Sequence, residues 1–271
     1  MKSKIIVASV VAGLAGMSAG AFEADVSVSA DVNFASAFVG GNGITWVDGP
    51  MLMPSASVGI NDTSGVHHTT FTYWAGINLD DTQGPDNPSD AQGQITEWDV
   101  MADYTYTGIE LVTLSAGGMH YAFPKLAGSY TSDIYVKAGV NVLLNPTATV
   151  LYDVDGGNSG FHGDIGISEG YDFDFGLSVG AWTKLTWADG DYGAAYFSAD
   201  GDDYSGLMSY GAGLTASYGI TEAVSLNAGI AYWKLDNDDG VLGMSYDAWD
   251  AIDTPSPQDN VVGNISIGYV F

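Results

Sequence analysis

Nine charged residues fall where β-strands would set them on one shared face. In Thr96–Tyr106, the run Glu97, Asp99, Met101, Asp103 and Thr105 alternates with Trp98, Val100, Ala102, Tyr104 and Tyr106. Asp31, Asp133, Asp153 and Asp164 occupy the same wet phase of their own alternating segments, together with Lys137 and Lys184. Residues two apart share a strand face, so these groups would line one polar surface. Seven carboxylates against two lysines make a field that draws cations, the device of cation-passing pores. They are not spaced as a catalytic set. His67, His68, His120 and His162 show no metal-ligand spacing, and no Ser, His and acid group together along the chain as nucleophilic chemistry would need. The chain is read as a non-enzyme.

Three further acidic clusters carry oxygen donors of the kind Ca²⁺ takes: Asp153-Val154-Asp155-Gly156, Asp200-Gly201-Asp202-Asp203 and Asp236-Asn237-Asp238-Asp239-Gly240. None has the terminal bidentate Glu of an EF-hand loop. Solvated acidic surface is the simpler reading, and no cofactor is expected.

Twelve segments position these residues. They are Val26–Phe38, Met51–Ile60, Thr69–Leu79, Thr96–Tyr106, Leu111–Phe123, Asp133–Leu144, Thr147–Asp155, Phe161–Ser168, Phe173–Lys184, Met208–Tyr218, Val224–Tyr232 and Asn260–Phe271. Most repeat with period 2, apolar on one face and polar or small on the other, the strand signature. Connections after even-numbered segments are short, as at Asn145-Pro146. Most of those after odd-numbered segments are long and acidic, the longest being Val39–Pro50, Asp80–Gln94, Thr186–Asp203 and Asp236–Asp259. This sorting predicts a closed up-and-down antiparallel transmembrane β-barrel of about twelve strands. Tyr106, Phe173, Tyr218 and Tyr269 mark one rim and Trp98, Tyr152 and Tyr232 the other, as aromatic girdles do.

The termini carry instructions of their own. Lys2 and Lys4, the apolar run Ile5–Met17 and the small residues Ala19-Gly20-Ala21 make a secretory signal peptide over residues 1–21, leaving 22–271 as the barrel. The last segment alternates into Tyr269 and a terminal Phe271, the form of the strand read by bacterial barrel-assembly machinery. The expected location is therefore the outer membrane of a Gram-negative bacterium, with lipid and the assembly machinery as partners. Six Lys, no Arg and 33 Asp plus Glu give a net charge of −27, which excludes nucleic acid. There is no cysteine. In the hairpin around Asn145-Pro146, pairing Leu144 with Ala148 would set Lys137 opposite Asp155 with Asp153 diagonal.

Several stretches resemble the TorF-like porin family. They are Val32–Gly41 in the opening strand, His120-Tyr121-Ala122-Phe123-Pro124, Ser132–Val136, Leu144-Asn145-Pro146 and Tyr152-Asp153. The resemblance implies an outer-membrane porin without a defined substrate. Gly and Ser at most remaining inward positions imply a watery bore. The expected function is passive diffusion of small solutes, with cations preferred. The alternative is a structural or surface-binding barrel, its acidic loops functional and its lumen plugged by Asp236–Asp259.

Overall fold

The computed structural model describes residues 24–41, 45–80, 92–125, 129–154, 160–196, 205–236 and 259–271. The predicted leader and most of the Asp236–Asp259 loop lie outside them. Among the described residues fourteen strands run in chain order: β1 Ala24–Ala35, β2 Phe38–Val39, β3 Thr45–Val47, β4 Met51–Asp62, β5 His67–Asn78, β6 Ile95–Ile109, β7 Val112–Phe123, β8 Ser129–Val140, β9 Thr147–Asp153, β10 Phe161–Asp172, β11 Leu177–Ala188, β12 Gly206–Gly219, β13 Val224–Leu235 and β14 Asp259–Val270. A short helix, α1, spans Gly190–Tyr196. Twelve of the strands close into one antiparallel barrel, each paired to the next in the chain, with β14 returning to β1. β2 and β3 form a separate two-stranded pair within the first long connection.

Closure follows from the alternation. Val26, Val32 and Phe34 of β1 and Ile265, Ile267 and Tyr269 of β14 are all exposed on the outer face. Mid-barrel apolar residues behave alike: Val136, Ile165 and Leu214 are 60%, 59% and 60% exposed. A continuous apolar belt of this extent is untenable in water and is what lipid requires of a barrel. The connections at the end that holds Ala24 and Phe271 are all short, and the longest ones lie at the other end. No helix among the described residues is long and apolar enough to cross a membrane.

The structure corrects several boundaries. β1 stops at Ala35, and Phe38 belongs to β2 rather than to the opening strand. The ninth segment starts at Leu177: Phe173–Gly176 is the turn, held by Phe173 N donating to Leu177 O at 2.8 Å and by Gly176 at φ 85°. Met208 does not share the outer face of Tyr210. A bulge at Thr186/Trp187 shifts the β11–β12 register, and Met208 is buried. In the β8–β9 hairpin Lys137 faces Thr149, and Asp153 faces Asp133. The faces are as expected but the register is not. β8 ends at Val140, and Asn141–Pro146 form a longer connection in which Leu144 and Asn145 take positive φ.

The C-terminal residue is part of the closure. Phe271 N donates to Val28 O at 2.9 Å, and its ring meets Tyr269 edge-on at 4.6 Å between centroids. Deleting Phe271 should reduce the heat-modifiable folded band in outer-membrane fractions. A folded band at wild-type level would show that closure and insertion do not depend on it.

Candidate functional site

The inner faces of β5–β12 line a cavity of about 800 Å³. Its wall includes seven of the nine charged positions singled out by spacing: Glu97, Asp99, Asp103, Asp133, Lys137, Asp164 and Lys184. Asp31 and Asp153 sit at inward register positions but outside that wall. Strand pairing sets their order. Lys137 on β8 and Asp164 on β10 both face Thr149 of β9, while Asp103 on β6 faces Gly117 of β7.

A buried carboxylate needs donors, and the wall supplies them for most. Asp133, 6% exposed, accepts from Tyr121 Oη at 3.3 Å and lies 3.3 Å from His162 Nε2. Asp103 accepts from Thr105 Oγ1 at 2.8 Å and from Tyr135 Oη. Thr131 Oγ1 donates to Asp153 at 2.9 Å. Asp164 Oδ2 stands 3.7 Å from Lys184 Nζ. Asp99 differs, because its Oδ1 is buried with no hydrogen-bond donor among the described residues.

Two chain segments at the long-loop end line the same cavity. The β2–β3 pair contributes Phe38, Val39, Gly40, Gly41 and Trp46. It is seated by an apolar cluster of Ala35, Val47, Met51 and Met53, against which Phe38 and Trp74 pack, their ring centroids 5.2 Å apart. On the opposite side Asp189 starts α1, accepting from Tyr192 N at 3.0 Å and from Phe161 N at 2.9 Å. That places the Tyr192 ring 4.0 Å from His162, nearly parallel at 17°. The expected plug, Asp236–Asp259, lies almost wholly outside the described residues, whereas the first long connection does enter the barrel.

The bore is not lined chiefly by small residues. Trp182 and Trp233 point inward, and each lies over a glycine of the neighbouring strand. A Cβ at Gly213 would come within 2.6 Å of the Trp182 ring, and one at Gly211 within 2.6 Å of Trp233. Inward glycines here are seats for aromatic rings rather than gaps for water. Tyr121, His162 and Tyr192 were not picked out by spacing. For Tyr121 and His162 the signal was present, since both fall in the inward phase of their strands. Tyr192 gave none, because a helical turn inside a long loop has no strand period.

The runs Gly166–Gly170 and Gly176–Gly180 have Gly-x-Ser-x-Gly spacing. Neither stands at a strand-to-helix turn, the setting that exposes a nucleophile. No group of three or more His, Cys, Asp or Glu among the described residues is arranged to hold a metal ion. Of the acidic loop clusters only Asp153, Val154 and Asp236 are described.

No protein-family model matches the chain, and no curated protein matches its sequence. Among solved structures, the NanC porin is 12% identical over 89% of this chain and 98% of its own, with a TM-score of 0.51. That likeness is one of fold. The KdgM porin is 8% identical over 90% of this chain and 99% of its own, with a TM-score of 0.47. An outer membrane channel from Pseudomonas putida F1 is 13% identical over 90% and 95%, also at 0.47.

The seating of β2–β3 rests on Trp74. Trp74→Ala should destabilise that seat by about 3 kcal/mol, the low end for truncating a large packed aromatic, while leaving the barrel ladder intact. The expected outcome is a folded, heat-modifiable barrel that protease now cuts within residues 36–50. Resistance equal to wild type would refute the packing role.

Proposed function

We propose that the chain is an outer-membrane channel through which small solutes diffuse passively, with cations preferred. One observation carries this reading: a cavity inside a lipid-compatible closed barrel has five carboxylates and two lysines in its wall. Acidic rings favour cations, and their field reaches about a Debye length, roughly 8 Å at physiological salt. At higher salt only groups inside the bore still discriminate, which is where Glu97, Asp99 and Asp103 sit. The resemblance to the TorF-like porins and the porin-like fold support the same reading. Secretion by the 1–21 leader and recognition of Tyr269 and Phe271 by the assembly machinery complete it.

The inward β2–β3 pair and α1 favour a second reading, in which the lumen is closed and the long acidic loops do the work at the cell surface. Bilayer recording separates the two. Under a KCl gradient the reconstituted protein should conduct with a reversal potential of cation-selective sign. The triple variant Glu97→Gln, Asp99→Asn and Asp103→Asn should move that potential toward zero. Anion-selective sign would overturn the charge argument, and absence of conductance would leave the closed barrel standing.

A further inference from the structure

At the short-turn end, three consecutive connections expose apolar side chains. The β6–β7 turn presents Ile109 and Leu111, the β8–β9 turn Val142–Leu144, and the β10–β11 turn Phe173 and Phe175. The β4–β5 turn at the same end is polar, with Thr63-Ser64-Gly65 at its tip. Leu143 is 81% exposed, more than any other large hydrophobic residue among those described. Leu111 and Leu144 stand at φ 61° and 69°, a left-handed conformation that turns ordinarily give to Gly or Asn. A turn that faced only water would have no use for leucine at a strained position.

The β8–β9 turn also satisfies its backbone from within the protein. The N–H groups of Val140, Asn141, Val142 and Asn145 donate to the carbonyls of Pro146, Leu111, Val140 and Val142, each at 2.8 or 2.9 Å. Leu144 N donates to Glu169 Oε2 at 2.9 Å, and Leu144 O accepts from Ser168 N at 2.9 Å. Water asks none of this of a loop, whereas a bilayer demands it. The same bonds tie the β8–β9 turn to Leu111 on one side and to β10 on the other. At the end of β10 the Tyr171 ring meets Phe173 edge-on at 4.8 Å, and Phe173 lies 5.4 Å from Phe175. The patch runs on from the lipid-facing belt, through Val136 and Val140 along β8 and through Ile165, Ile167 and Tyr171 along β10.

We infer that these three turns form a lipid-binding apron, covered by phospholipid of the leaflet at the short-turn end, so that the β6–β11 side of the barrel sits deeper in the bilayer than the β4–β5 side. This rests on the membrane reading of the belt and carries it to the turns. Exposed Glu110 and Asp174 stand among the apolar residues and set the depth, at the headgroup boundary where apolar groups are buried and carboxylates still meet water. A soluble partner or a second copy could cover the tips, but neither accounts for their continuity with the belt.

The chain has no cysteine, so single thiols report position. Leu143→Cys, Phe175→Cys, Thr63→Cys and Val136→Cys, each shown to fold by heat-modifiable migration, are reconstituted in phosphatidylcholine vesicles. A charged maleimide should modify Leu143→Cys and Phe175→Cys roughly tenfold more slowly than Thr63→Cys, the factor implied by burying a leucine-sized site in apolar surroundings. A bimane on the Leu143→Cys thiol should be quenched by lipids bearing a nitroxide near the headgroup, and one on the Thr63→Cys thiol should not. Equal labelling rates place the turns in water and overturn the apron. Slow labelling without quenching overturns it too, and a disulfide-linked dimer would then assign the patch to a second copy. If a bimane on the Val136→Cys thiol, in the belt, also escapes quenching by acyl-chain nitroxides, the membrane reading falls with it.

Discussion

Everything in this chain depends on returning β14 to β1. In hydrocarbon no water is present to satisfy a backbone N–H or C=O, and each unpaired group costs several kcal/mol. A sheet with two free edges cannot exist there. The β1–β14 register, from Ser29 opposite Val270 to Ala35 opposite Asn264, removes both edges at once. The ladder continues past the last strand residue, since Phe271 still donates to Val28. Once closure is imposed, the period-2 alternation has one outcome. Apolar residues face lipid and their neighbours face the bore, whatever each neighbour would prefer alone.

That forced placement explains the chemistry of the interior. Residues on the inner phase include carboxylates that could not stay buried and ionised without donors. The chain meets this with hydroxyls at neighbouring inward positions: Tyr121 beside Asp133, Tyr135 and Thr105 beside Asp103, and Thr131 beside Asp153. Each is a hydrogen bond to a charged group, worth about 1.5–3 kcal/mol where it replaces an unsatisfied contact. Among the described residues the interior is therefore largely a bonded network, and two of its charged groups are held differently. Asp99 keeps one oxygen without a donor, and Lys184 is shared between a carboxylate and an indole ring. Both residues lie in the cavity wall.

The barrel was legible because closure and alternation are local rules that repeat. Segments such as Thr96–Tyr106 state their face in every residue, and the sorting of short and long connections states the topology. Registers were less legible. Nothing in Asn145-Pro146 reveals that β8 stops at Val140, because the stop depends on Leu144 and Asn145 adopting positive φ. The filling of the bore was the least legible. Gly211 and Gly213 read as small inward residues, and only the neighbouring strand shows that Trp233 and Trp182 lie across them. A ring from one strand covering a glycine of the next is a pair property, invisible to any single-strand pattern. Inwardness itself was local, which is why Glu97, Asp103 and Lys137 could be placed from spacing alone.

The same distinction accounts for the entry of the first long connection into the barrel. Length alone favours Asp236–Asp259, the longest connection. What commits a loop to the interior is a seat for it, and the first connection has one at both ends. Ser36 N donates to Gly263 O at 2.9 Å and Ser36 Oγ accepts from Gly263 N at 3.0 Å, so the chain is bonded to β14 as it leaves β1. Val47 is fully buried against Met51 and Met53 where the chain joins β4. Phe38 then meets Trp74 on the inner wall. Such a segment gains apolar burial at about 25 cal/mol per Å² by turning inward, and it loses little entropy because both of its ends are already anchored. The apolar residues between Ala35 and Met51, which a strand count passes over as loop, therefore help to shape the lumen.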